Sequence, residues 1–289
     1  GTQDTIECLA SIGQLSTNNY QLTTIVVDNG SEEKFKVQSS KFKVIRNDEN
    51  LGFAEGNNVG IRYALKNGAD YIVILNNDTI VDKNLVNELV KTAESDEKIG
   101  VVVPKIYFAA GFEFHKDRYQ KEEFGKVIWY AGGIMDWQNV IGHHRGVDEV
   151  DHGQYDELGE TDFASGCCMM LRRKVFEKTG FLDKKYFLYY EDNDFSQRIR
   201  AAGYKIIYNP KAILWHKNAG SAEGSGSKLQ DYYITRNRLI FGMRYAPFRS
   251  KLALIRESVA LLVTGRLWQK RGVLDFYLGR LGKGSYNVF

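Results

Sequence analysis

Tyr71-Ile72-Val73-Ile74-Leu75-Asn76-Asn77-Asp78 is the stretch on which the fold turns. Five apolar residues in a row predict a buried strand, and three polar residues follow at once. The chain therefore leaves the core where open α/β sheets bind their ligands, beyond the carboxyl ends of the strands. Working outward, residues 54–66 favour a helix closed by Asn67-Gly68, and residues 85–93 form an amphipathic helix. Residues 22–27, 42–45 and 99–103 read as further strands. Strands alternating with helices predict βαβ units and a mostly parallel sheet.

The pattern breaks over residues 108–160, which are rich in Gly, His, Tyr and Asp and contain one strand-like run at 127–137. So long a segment with weak periodicity points to function. Order returns at residues 162–171, with a helix at 174–179. Tyr186 to Tyr190 then lead into Glu191-Asp192-Asn193-Asp194 and a helix ending before Gly203. Strands are predicted at 205–208 and 212–215, a mobile Gly/Ser lid at 220–227, and helix nearly to the end.

The composition is that of an ordinary globular protein, which excludes disordered and fibrous classes; 289 residues allow one large domain or two small ones. The net charge of +3 is uninformative, but its distribution is not. Residues 244–283 carry nine Lys or Arg against Glu257 and Asp275, a net of +7, leaving −4 for the rest. Such asymmetry can mark contact with a membrane or a nucleic acid. Without a stacking platform or reader motif, nucleic acid is disfavoured. Cys8, Cys167 and Cys168 form no zinc or redox spacing and suit a reducing, cytoplasmic compartment. No apolar run is long enough to span a bilayer and no signal peptide opens the chain, so a soluble or peripheral protein is expected. No G-x-G-x-x-G follows the early strands, and residues 220–228 fail the spacing of a P-loop.

Four places could carry chemistry. Asp28, in Asp28-Asn29-Gly30-Ser31, could hold a nucleotide base or ribose, or be turn chemistry alone. Asp78 could bind a divalent cation that bridges phosphates, or end a strand. Glu191, Asp192 and Asp194 stand at a strand-to-helix junction, where the helix dipole explains one carboxylate but not three. One of them could accept a proton from an attacking hydroxyl. His216 follows a strand end; paired with Asp78 it would make a mixed oxygen and nitrogen site favouring manganese over magnesium. His115, His143, His144 and His152 receive no metal role.

Taken together, these residues fall into an ordered set. Val26 to Ser31, Asn50-Leu51-Gly52-Phe53-Ala54-Glu55-Gly56-Asn57-Asn58, Leu75 to Asp78, Ser165-Gly166, Tyr190 to Asp194 and His216 to Ser221 resemble the family 2 inverting glycosyltransferases, closest to their bacterial rhamnosyltransferase-like branch. The resemblance implies a GT-A fold, a nucleotide-diphosphate sugar donor (dTDP- or UDP-linked), a saccharide or lipid-linked acceptor and a divalent cation, Mn2+ or Mg2+. It implies Asp28 and Asn29 at the nucleotide, Asn50, Gly52, Asn57 and Asn58 in the motif approaching the donor, and Asn76 and Asn77 near the ribose. Asp78 and His216 would be metal ligands, Asp192 the general base and Glu191 its neighbour, orienting it or substituting for it. Asn76 departs from the commoner D-x-D.

The family's chain opens with a hydrophobic strand ahead of the segment that resembles residues 1–12; that strand is missing here, which is read as an incomplete chain. The domains expected are a GT-A domain over 1–243 and a basic amphipathic helical region over 244–289. Two readings of that region stay open: a helix lying on an anionic membrane, or helices packed on the catalytic domain or on a dimer partner. Besides transfer of a sugar such as L-rhamnose in surface polysaccharide synthesis, the alternatives are an impaired nucleotide-sugar or carbohydrate-binding scaffold and a sugar-phosphate nucleotidyltransferase. The latter lacks its Gly-rich loop.

Overall fold

The computed structural model describes residues 1–17, 20–32, 42–218 and 227–286. The first part runs α1 (Thr2–Ile12), β1 (Thr24–Asn29), β2 (Phe42–Asn47), α2 (Gly52–Lys66), β3 (Tyr71–Leu75), β4 (Thr79–Val81), α3 (Leu85–Glu94) and β5 (Ile99–Phe108). Then follow β6 (Ile128–Tyr130), β7 (Gly133–Asp136), β8 (Ile141–His144), β9 (Gly159–Glu160), β10 (Cys168–Arg172), α4 (Arg173–Thr179), α5 (Glu191–Ala201) and β11 (Lys205–His216). Helices α6 (Lys228–Tyr245), α7 (Phe248–Thr264) and α8 (Leu267–Tyr277) complete the chain.

The central sheet has the order β3-β10-β5-β11-β4, with β6 on β5 and β9 on β11. It is mixed, which corrects the mostly parallel sheet predicted from alternation. β3, β5 and β11 run one way, while β10, β4, β6 and β9 run the other. β10 comes from the second half of the chain and inserts between β3 and β5, antiparallel to both. Local periodicity orders neighbouring strands but carries no signal for such an insertion. Nearly all of β5 is buried, and α3 packs on it and on β11.

The two strands predicted at 205–208 and 212–215 are one, β11, whose register with β5 shifts between Asn209 and Ile213. Pro210 stands in the shift, where a missing N–H is tolerated. Asn209 repairs the break by bonding Glu88 O at 3.1 Å and Thr92 Oγ1 at 2.8 Å on α3. β1 and β2 form a separate parallel pair, joined to no other strand among the described residues, so the sheet is divided on the side of Asp28. Helix α1, which periodicity had not marked, buries Cys8 and Leu9 against β4. All three cysteines are buried thiols.

The boundary expected at 243/244 falls inside α6, so the helical unit begins at Lys228. A second apolar core joins that unit to the body: Met135 and Val140 of the β7–β8 region and Tyr186 and Tyr190 pack with Leu239, Phe241, Leu254 and Val273. Among the described residues no helix is long and apolar enough to cross a membrane.

Candidate active site

Antiparallel pairing of β4 with β11 sets Thr79 opposite His216. Asp78, one residue earlier, thereby comes to His216, with Oδ1 3.2 Å from Nε2. Both side chains are buried. The imidazole stands edge-on to Trp129, with ring centroids 4.6 Å apart, and its Nδ1 has no hydrogen-bond partner among the described residues. Trp129 also contacts His144, whose pKa burial pushes down to about 4, so that ring stays neutral. One carboxylate oxygen and one imidazole nitrogen this close can both reach a single divalent cation, whose ligand bonds are about 2.0–2.2 Å. No third His, Cys, Asp or Glu joins them among the described residues, which suits an ion completed by water and substrate phosphate.

The second centre is Asp192, at the start of α5. Its Oδ2 accepts the Gly166 N–H at 3.1 Å, and its Oδ1 accepts the Asn193 backbone and side-chain N–H groups at 2.7 and 3.0 Å. Burial raises its pKa above the ordinary carboxylate value, and these hydrogen bonds oppose the rise. Asp192 as a residue is half-buried. Glu191 differs: it is fully buried, and burial followed by the charge of Asp192 pushes its pKa well up. Its Oε2 has no hydrogen-bond partner among the described residues. Asp194 is a structural anchor, accepting from Arg198 at 2.8 Å and from Arg244 and Tyr245 of α6 at 2.9 Å.

The two centres share one piece of backbone. Cys167 O accepts the Asn76 N–H at 2.9 Å on the β3 side, while the neighbouring Gly166 holds Asp192. Gly166 packs closely on the Phe53 ring: a Cβ there would stand 3.0 Å from it and require the ring to shift. Asn77 is exposed and bonds Thr5 Oγ1 of α1 at 2.8 Å.

The turn before Asp192 is strained. Phe187, Tyr189 and Tyr190 have φ of +65°, +67° and +69°, a left-handed conformation unfavourable for bulky residues. Helix α6 holds it there. The Asn237 amide nitrogen lies 2.8–2.9 Å from the carbonyl oxygens of Tyr186, Leu188 and Tyr189. Arg236, wholly buried, donates to Tyr186 O at 3.2 Å and to Asn237 Oδ1 at 3.0 Å. Phe187 O in turn accepts the Phe53 N–H at 2.7 Å in the first turn of α2. No sequence signal marks Arg236 or Asn237, since both lie in a helix with no motif around them.

The donor-side residues have mostly structural surroundings. Asp28 is buried, pairs with Arg46 opposite it on β2, and accepts the Ser31 N–H at 3.0 Å. The Asn29 amide is bonded to Asn47, Asn50, Leu51 and Gly52, which moors the 47–52 loop to β1. Gly52 has φ +78°, and a Cβ there would meet Phe187 at 2.5 Å. The close approach that Gly52 permits is to the Phe187 turn of this chain. Asn57 bonds back to Phe53 O at 2.9 Å. Asn58 is buried and exchanges hydrogen bonds with Leu182 O and N at 2.9 and 3.1 Å, so it ties α2 to that segment. The lid expected at 220–227 and the motif residues Ala219 to Ser221 lie outside the described residues, apart from Ser227.

With this geometry in view, residues 3–180 match the family described as Glycosyl transferase family 2. The chain belongs to that family. Residues 126–279 also match the description Glycosyl transferase family group 2. A low-salt glycan biosynthesis hexosyltransferase of Haloferax volcanii is 26% identical over 219 residues, 75% of this chain and 66% of that protein. An N-acetylglucosaminyl-diphospho-decaprenol L-rhamnosyltransferase of Mycobacterium tuberculosis is 40% identical over 104 residues, 34% of this chain. The chain spans 66% and 32% of the lengths of these two relatives. Among solved structures, GalNAc-T7 with UDP, GalNAc and Mn2+ superimposes with TM-score 0.60 at 17% identity, over 96% of this chain and 55% of that one. The mannosyltransferase PcManGT from Pyrobaculum calidifontis, in complex with GDP-Man and Mn2+, gives 0.54 at 14%, over 100% and 73%. The fold is GT-A, as the motif order implied.

Proposed function

We propose that this family 2 chain moves a sugar from a nucleotide-diphosphate sugar to a hydroxyl group of a saccharide or lipid-linked acceptor, inverting the anomeric centre. The observation that carries the reading is the meeting of Asp78 with His216, linked through Cys167 and Gly166 to a half-buried Asp192. Asp192 takes the proton of the acceptor hydroxyl as its oxygen bonds the anomeric carbon and the bond to the diphosphate breaks. The Gly166 and Asn193 N–H groups keep the carboxylate aimed, and the strained turn held by Asn237 fixes where α5 begins. Asp78 and His216 would hold Mn2+ or Mg2+, which supplies Lewis acidity toward the departing diphosphate. Asn76 and Asn77 stand on the ribose side, and the Asp28–Arg46 pair at the edge that takes the base.

The transferred sugar is L-rhamnose in this reading, supported by the partial 40% match to a rhamnosyltransferase, and the setting is surface glycan synthesis on the cytoplasmic side of the membrane. The test is a donor-hydrolysis assay over a panel of dTDP-, UDP- and GDP-sugars with manganese. Release of nucleoside diphosphate from dTDP-rhamnose above all others is expected. Equal turnover in excess chelator would remove the cation, and no hydrolysis of any donor would remove the transferase reading.

A further inference from the structure

Helix α7 buries Leu254, Ser250 and Ser258 along one side and leaves an apolar stripe uncovered along the other. Phe248, Leu252, Ile255, Val259 and Val263 follow one another at spacings of four, three, four and four, and are 74%, 47%, 39%, 55% and 76% exposed. That spacing is one continuous helical face. The exposure continues beyond the turn into α8, at Leu267.

The charges around the stripe are of one sign. Helical periodicity puts Arg249 and Arg256 along one margin and Lys251 along the other, and none of the three forms an ion pair among the described residues. The acids that could oppose them are spent. Glu257 bonds Arg238 of α6 at 2.7 Å, and Asp275 of α8 is buried beneath Tyr232 and Ser285. An apolar strip edged by unpaired cations, with no available anion on the helix, is complementary to a surface that is apolar within and anionic at its rim. A second copy of this chain meeting the same face about a two-fold axis would set cations against cations.

We propose that the outer face of α7, continued by Leu267, docks on the surface of an anionic lipid bilayer, lying in the plane of the headgroups. Arg244, Arg266 and Arg280 take little part, since they face Asp194, Asp231 and Asp275. The working cations are those beside the stripe.

The test is co-sedimentation of the 289-residue chain with vesicles of phosphatidylcholine alone or mixed with phosphatidylglycerol. Binding at least about tenfold stronger to the anionic vesicles is expected, weakening as salt screens it. Leu252→Glu with Val259→Glu should abolish the binding, and Arg249→Gln with Arg256→Gln should weaken it about tenfold on anionic vesicles only. Absence of binding, or equal binding to both vesicles, overturns the proposal. So does a dimer in sedimentation equilibrium that the Leu252→Glu, Val259→Glu variant dissociates, because the stripe would then belong to a second copy. The Arg pair is exposed and keeps the test readable if the Glu variant fails to fold.

Discussion

Helices α6 and α7 are neighbours of nearly equal length, 18 and 17 residues, yet they present opposite chemistry. α6 turns polar side chains inward: Arg236 and Asn237 are buried and spend their hydrogen bonds on the strained turn that precedes Asp192. α7 turns its apolar side chains outward along much of its length. A buried amide surrounded by carbonyl oxygens fixes geometry, because any other arrangement leaves polar groups unpaired away from water. An exposed apolar stripe fixes nothing within the monomer and waits for another phase. The first helix braces the turn that leads to Asp192, and the second presents the face proposed to meet a bilayer.

Four substitutions would break or sharpen this contrast. Asp192→Asn, which leaves α6 and its clamp in place, should cut transfer by about 10² to 10⁴ while donor binding persists; steady-state kinetics with donor titration reads both. The same assay against pH should show an acid limb for the parent lying above the ordinary carboxylate range, because the proton acceptor's pKa is raised, and no such limb for the variant. Asn237→Ala removes the clamp and should destabilise the fold by about 2–4 kcal/mol in urea titration, with turnover falling as the turn relaxes. Unchanged stability would mean that α6 merely rests on the turn.

Glu191→Gln tests the buried acid. Its folded pKa lies above the unfolded value of 4.5, so its neutral form is tolerated below that pH and folding stability is lost as pH rises toward the folded pKa. The Gln variant should therefore gain stability at pH 7 and none below about pH 4.5, the loss it relieves being about 1.4 kcal/mol for each unit between the two values. Thermal melts at the two pH values check it. Val259→Ser, on the open face of α7, should move stability by no more than about 0.5 kcal/mol. A larger loss would show that the stripe is covered within the chain.

The motifs around Asp28, Asp78, Asp192 and His216 were legible because each sits at the end of an element whose periodicity is plain, such as Tyr71 to Leu75. Their surroundings were not. Nothing near Asp28 in sequence points to Arg46, which faces it only through parallel pairing of β1 with β2. Nor does the sequence show that Asn58 bonds Leu182 or that Gly52 packs against Phe187. Trp129 lay in the run read as strand-like, but nothing in that run points to His216.

By itself the sequence determined most of the elements, the family and the candidate carboxylates, because apolar periodicity and short polar motifs are local properties of the chain. Tertiary structure alone decided the insertion of β10 between β3 and β5, the 3.2 Å approach of His216 to Asp78 and the clamp of α6 on the Asp192 turn. It also divided the basic tail, which as a sum of charges looked uniform. Three of its arginines face inward carboxylates, while those beside the α7 stripe are left to solvent. The reason is common to all of these: a strand's neighbours, a polar group's partners and a charge's burial depend on residues distant in the chain, and no window along the sequence contains both.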